Sequence, residues 1–543
     1  MKNRKTGPEG RTAKLILAGA LVAAIAAMPL AGSAANLSVT PFHVKAVNKE
    51  ETGRFAIRPF LKPTAATTPG ATTPPTTPPS TEPTAPVTTA PPEAVDPKPR
   101  NISMTIDTSL PNCDASGFGL EFTTSASVPT AATIDWGDGT AATAVNDVAG
   151  VKRHSYAVGK QYSLEIGGTV YGVTRSSDVS ANANNCIRSV DHFGSDTGLR
   201  SIQTLLAGAN NLQSVAAPPK SVFNFRGLFQ NAKNFNGDIS NWDTSGATDM
   251  GAMFSGATSF NGNLSKWNVS KVTNFSGMFQ NASKFNGDLS SWSPVQGSTF
   301  GSMFRGASSF AGDLSGWEMG KAVSLNSMFY DAKLFNSDLS NWSTGNVSNF
   351  NSMFRNAISF DSDLSRWNVA KGTDFGTMFY QASKFNSNIG SWSMSSATDL
   401  NHMFTSATSF NQPIGGWNVS RVDFFNDMFS GATSFNQPLG GWTTTSAKNM
   451  SYMFYGASSF NQPIASWNTS TVYSFAAMFQ GATSFNQPLS NWNTSAATSM
   501  NRMFYGATNF NQYLRGWNVA KVTDRVDFGT GSALTTANKP VGF

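Results

Sequence analysis

The chain has 543 residues, only 13% of them charged, and a formal net charge of +6. Five of its basic residues and one acid fall within the first 35 positions, so the remainder carries 33 basic and 31 acidic residues, a net of +2. That balance removes the electrostatic case for a nucleic-acid partner, and the abundance of Asn, Ser, Thr and Gly is that of a protein wetted by neutral polar groups.

Lys2, Arg4, Lys5, Arg11 and Lys14 precede the apolar run "LILAGALVAAIAAMPLAG", and "SAA" follows it. Residues 1–35 therefore read as a cleavable signal peptide; an uncleaved anchor is the alternative. After cleavage no further transmembrane segment is expected. Residues 36–62 have no clear period. Residues 63–100 are nearly all Thr, Pro and Ala, which favours an extended, disordered linker because Pro removes backbone donors.

Residues 101–196 alternate apolar and polar positions in "ISMTIDTS", "FGLEFTTSA", "ATIDWGDGT" and "QYSLEIGGTVYGV", a β pattern broken by Gly, Asn and Asp turns. "DGT" at Asp138–Thr140 signals a hairpin turn. Cys113 and Cys186 are the only cysteines; an even count in an exported chain favours a disulfide closing this region, with two free thiols as the other option. The segments "IDWGDGT" and "RHSYAVGKQYSLEI" resemble the polycystic-kidney-disease (PKD) modules, which implies a small Ig-like β-sandwich.

Residues 223–521 are twelve copies of one 25-residue phrase, with residues 197–222 expected as an N-terminal cap and 522–543 as a C-terminal cap and tail. The Phe of "MF" recurs from Phe229 to Phe504 with no insertion, and a Trp follows thirteen residues after each. In the copy around Phe429, Phe425, Met428, Phe429 and Ala432 stand at i, i+3, i+4 and i+7, which predicts a helix of one or two turns ending near Gly431. Phe435, Leu439 and Trp442 then return through an extended segment. Phe429, Ala432, Phe435, Leu439 and Trp442 are the expected structural core; an aromatic ligand-binding strip is the alternative. At strand spacing the array would be about 60 Å long.

The phrase "MFxGAxxFNQPLxxWNVSxVT" resembles the DUF285 or BspA-like repeat family of bacterial surface proteins, a divergent leucine-rich repeat. The resemblance covers all twelve copies. It implies an LRR-like repeat solenoid with a short helix and a short strand per coil, export to a bacterial surface or medium, a role in adhesion, and no reaction.

No catalytic residues are expected. The four histidines lack metal-type spacing, and neither a G-x-S-x-G elbow nor a phosphate loop is present; no cofactor is expected. Nine residues after each phase marker runs a column containing Asp238, Asp288, Asp313, Asp338 and Asp363, with Pro in the later copies. It is a weak candidate for a calcium ladder, against the reading of solvated turns capped by Asp. The Asn column that includes Asn436 is expected to tie loop backbones together from buried positions. Candidate ligand surfaces are the small variable pair in "LxxW", such as Gly440 and Gly441, and the residue after "MF", which includes Arg305, Tyr330, Arg355, Tyr380, Tyr455 and Tyr505; neutral drift at these positions is the alternative.

These readings make the chain a non-enzymatic secreted or cell-surface interaction protein that binds an extracellular protein or glycan through its array. A self-associating component of a surface layer or matrix is the first alternative. An accessory module of a secreted hydrolase is the second.

Overall fold

A computed structural model describes residues 100–543 apart from 126–128, 147–149 and 181. The expected signal peptide, the segment 36–62 and residues 63–99 of the linker lie outside the described residues.

Among the described residues the first part is built of nine strands. They are β1 (Ile102–Asp107), β2 (Phe118–Thr123), β3 (Ala131–Asp135), β4 (Thr143–Asn146), β5 (Gly150–His154), β6 (Gln161–Thr169), β7 (Gly172–Arg175), β8 (Ile187–Phe193) and β9 (Ser214–Val215). One sheet has the order β4-β3-β6-β1-β8-β9 and the other β5-β2-β7. Alternation drives the packing: Ile102, Met104 and Ile106 of β1 and Phe118, Leu120 and Phe122 of β2 all point into one core. The disulfide Cys113–Cys186 ties the turn after β1 to the start of β8. In the turn after β3, the Trp136 ring stacks on His154 at 4.7 Å, and His154 Nε2 lies 2.7 Å from an Asp138 carboxylate oxygen.

Both sheets run on into the repeats. β9 belongs to the segment expected as a cap and pairs parallel with β8, Ser189 opposite Ser214. Gly172 of β7 bridges Ser201 in parallel, Ser201 bridges Asn224, and Asn224 bridges Asp249. The same column continues coil by coil to Asp524. The first coil is thus laid down on two sheet edges, which removes the edges' unpaired backbone groups.

The expected fold class, an LRR-like solenoid with helix plus strand in each coil, is overturned. Residues 223–521 contain neither a helix nor a strand longer than a single bridge residue. The reason lies in where the N–H groups go. In the coil around Phe429, Met428, Ser430 and Ala432 donate back to the carbonyls of Phe425, Asp427 and Phe429, closing consecutive four-residue turns. The N–H groups between them, at Phe425, Asp427, Phe429 and Gly431, donate outward to Asn449, Ser451, Met453 and Tyr455 of the next coil. A helix would keep every one of these donors within the segment. Left-handed residues make the alternation possible: Asp427 has φ 58° and Gly431 φ 70°, and this pair of positions is left-handed in coil after coil.

The interior is a set of aromatic columns. Successive marker rings lie 5.4 Å apart at Phe229–Phe254 and 5.6 Å apart at Phe429–Phe454, nearly coplanar in orientation. Within a coil the two Phe rings face each other, at 4.1 Å for Phe429 and Phe435. Phe429, Ala432, Phe435 and Leu439 are fully buried and Trp442 is 3% exposed. Each fully buried large side chain stabilises by about 1.5–3 kcal/mol, and stacked aromatic pairs add about 0.5–1.5 kcal/mol. At the far end Phe528 turns edge-on to Phe504, and Phe543 packs edge-on against Phe528.

Candidate interaction face

The alternating turns sort side chains into two sets. In the coil around Phe454, Met450, Met453, Phe454 and Ala457 are buried, whereas Tyr452 and Tyr455 are each 40% exposed. The inward set fills the core. The second set, two residues before and one residue after each marker Phe, stands on the rail of intercoil hydrogen bonds; its large side chains reach solvent, while small members such as Ser352, Thr405, Ser430 and Ala477 are buried beneath their neighbours. That rail repeats once per coil, so side chains in one column come into contact with those 25 residues away.

One run of this face is continuous. The Arg305 guanidinium lies 4.5 Å from the Tyr330 ring centroid, and Arg355 lies 5.2 Å from the same ring and 4.4 Å from that of Tyr380. Tyr330 is therefore held between two cations. The Tyr380 ring is 6.3 Å from His402, whose Nε2 is 3.7 Å from Asp427. Burial raises the Asp427 carboxyl above its ordinary pKa, and the neighbouring His402 opposes that shift. Further along, the Tyr452 and Tyr455 rings are 6.0 Å apart, and Arg502 sits 5.8 Å from the Tyr505 ring. A cation over a ring contributes about 0.5–1 kcal/mol at exposed sites, enough to hold the side chains in a preferred order. The result is a stripe of flat rings and guanidinium donors, the residue types that dominate binding hot spots.

The six candidates Arg305, Tyr330, Arg355, Tyr380, Tyr455 and Tyr505 all stand in this outward column; the first four touch in sequence, and the last two do not join them. Sequence reasoning missed the second outward column, which supplies His402, Asp427, Tyr452 and Arg502. Its signal was the same variation in phase, two residues ahead of the marker.

The Asp column lies elsewhere on the coil. One oxygen each of Asp238, Asp288, Asp313, Asp338 and Asp363 accepts the backbone N–H two residues on, at 2.8–2.9 Å. These bonds from Ser240, Ser290, Ser315 and Ser365, backbone first and hydroxyl second, hold the carboxyls of Asp238, Asp288, Asp313 and Asp363 below their ordinary pKa. Each carboxylate is thus engaged in closing its own turn. Among the described residues no group of three or more His, Cys, Asp or Glu is arranged to hold a metal ion.

The Asn column does tie coils together. Asn436 Oδ1 accepts the N–H of Asn461 at 2.9 Å and the Gln462 side-chain amide at 3.0 Å. Its residues are exposed or half-buried rather than buried. In the "LxxW" strip Gly441 is exposed and Gly440 half-buried, and Ser466 of the next coil donates to the Gly440 carbonyl at 2.7 Å.

The sequence matches the family described as "Mycoplasma protein of unknown function, DUF285" over residues 202–317, 298–409, 367–456 and 440–534. Together these overlapping stretches cover more than half of the chain. The chain belongs to the DUF285 family. The matched residues begin at Ile202, so the family assignment rests on the turn-built array, and the likeness of residues 134–166 to PKD modules is not carried by it. No curated protein is matched by this DUF285 chain. Among the described residues no helix is long and apolar enough to cross a membrane.

Proposed function

We propose that this DUF285 chain is an exported, non-enzymatic interaction protein, secreted or held at the cell surface, whose array binds an extracellular protein or glycan. The observation that carries the reading is the run Arg305–Tyr330–Arg355–Tyr380, in which alternating guanidinium and phenol groups stack along one face at 4.4–5.2 Å. Such a stripe offers phenol hydroxyls, ring edges and ordered guanidinium donors for the oxygens of a sugar or peptide. Its repeat suits an extended ligand, which meets the same spacing at each coil. The composition, poor in charge and rich in neutral polar groups, and the signal-like residues 1–35 support export.

The test is a screen of the full chain against glycans and extracellular-matrix proteins. A hit that is lost in the variant Arg305→Ala/Tyr330→Ala/Arg355→Ala/Tyr380→Ala supports the reading. Absence of any hit, together with concentration-dependent fibres, would replace it with self-association.

A further inference from the structure

Where the β sheets meet the array, a cavity of about 460 Å³ is lined by Arg175, Asn182, Asn210, Gln230, Asn231 and Lys233, with Ala207 and Gly208. Three elements build it: the end of β7, the turn before β8, and the first two coils. Its size lies within the range of small-molecule sites. Its chemistry is one-sided. It holds two cations and four side-chain amides, and no carboxylate lines it.

Arg175 is half-buried, and a terminal nitrogen of its guanidinium donates to the Ser180 carbonyl, 3.1 Å away. Its Nε is fully buried and has no hydrogen-bond acceptor among the described residues. Among the described residues neither Arg175 nor Lys233 has a carboxylate within ion-pair distance: the nearby Asp178 is taken by Arg153 at 3.3 Å. Burial lowers the Arg175 pKa from its ordinary value, as removing water from an uncompensated cation must. A half-buried cation without an anion is disfavoured, and the exposed Lys233 at the same cavity adds a solvent-screened repulsion. An anionic ligand reverses both terms.

We propose that this junction cavity is a binding site for an anionic sugar of the uronic-acid type. The carboxylate would meet the Arg175 and Lys233 donors. The amides of Gln230 and Asn231, each able to donate and accept, match sugar hydroxyls; Asn182 keeps its amide N–H donors while its Oδ1 accepts from Asn185, and Asn210 is tied to its neighbours through Asn185 and the Lys233 N–H. The site is separate from the Arg–Tyr stripe, so it stands or falls independently of the proposed function.

The experiment is calorimetric titration of the full chain with glucuronate, with neutral glucuronamide, and with inorganic sulfate. Glucuronate is expected to bind and glucuronamide to bind at least about tenfold more weakly, the loss of one charge-assisted hydrogen bond. Lys233→Met, at an exposed position whose backbone bonds to Asn210 and Ser259 the substitution leaves in place, is expected to weaken glucuronate by a similar factor while melting as the native chain does. Arg175→Gln is the second variant. The Arg305–Tyr380 variant should bind glucuronate unchanged. No heat with glucuronate, equal binding of glucuronamide, or sulfate binding as tightly as glucuronate would each overturn the proposal.

Discussion

The indole Nε1 of Trp442 donates to the carbonyl oxygen of Ile414, 3.0 Å away and 28 residues earlier in the chain. That carbonyl already accepts the backbone N–H of Trp417 in its own coil. The Trp column is therefore more than apolar filling: it fastens each coil to the previous one. Trp242, the first of the column, is the exception, because its buried Nε1 has no partner. Trp442→Phe is expected to cost about 1 kcal/mol for the lost hydrogen bond plus a packing loss. Trp242→Phe should cost less, since it removes an unsatisfied donor. Urea-unfolding midpoints of the two variants check this; equal losses would mean that the indole bond contributes nothing.

Gly431 separates the turn-built coil from a helical one. In a helix interior, Gly→Ala stabilises by about 0.5–1 kcal/mol. Here Gly431 has φ 70°, and an added Cβ would sit 3.0 Å from Ser406 Oγ. Gly431→Ala is therefore expected to destabilise, by about 1 kcal/mol. A raised melting temperature would contradict the alternating-turn coil.

Asn436 joins two coils through one oxygen that accepts two donors. Asn436→Ala leaves the Asn461 N–H and the Gln462 amide without this acceptor, and about 1–2 kcal/mol of stability should be lost. Calorimetric melting of the full chain measures it. Ala311 interrupts the column naturally, so Ala311→Asn is expected to raise the melt by supplying Asn336 with the missing acceptor.

Acid should loosen the β region first. Hydrogen bonds from the Thr140 side chain, then its backbone and His154, hold the Asp138 carboxyl at about 2, below its ordinary 3.8. Asp107 is likewise held at about 2, first by the Ser109 hydroxyl and then by Gln161. A carboxylate whose folded pKa is depressed binds protons more readily when unfolded. Its contribution is full above the unfolded value and is lost as pH falls through the folded value, so the window runs from about 4 down to about 2. Melting of the native chain and of Asp138→Asn across that window should show the variant less sensitive to acid. Parallel curves would remove Asp138 from the account.

Much of this was legible in the letters and one part was misleading. The 25-residue phase is visible because every coil must present the same Phe, Ala and Trp to its neighbours, and alternation shows four strand-bearing segments. The helix was misread because i, i+3, i+4, i+7 spacing arises equally from consecutive turns. Gly, Asn and Asp at the position of Gly431 looked like a helix terminus, yet they mark a left-handed residue inside the turn run. Its twin two residues before the marker carries Gly or Asp in only three of the twelve coils, at Gly227, Gly277 and Asp427, and otherwise Ala, Ser, Thr, His, Tyr or Arg at positive φ, too mixed a set to give such a signal. β8 and β9 were hidden for another reason: β9 has two residues, and only pairing with β8 makes it a strand. In the candidate face, the column after the marker could be read off the variation, while the Arg–Tyr contacts depend on coil spacing that no single repeat reveals.

The central claim is that the constant letters build the coil and the changing letters on the Arg–Tyr face bind. It is tested most directly by the Kd of the strongest extracellular ligand for the native chain and for Arg305→Ala/Tyr330→Ala/Arg355→Ala/Tyr380→Ala. The account predicts a loss of about a hundredfold or more in a variant that still melts cooperatively, its melting temperature lowered only by the three missing cation–ring contacts, as expected for removal of several anchor residues of a hot spot. A Kd within about twofold of the native value, with the variant fully folded, would contradict it.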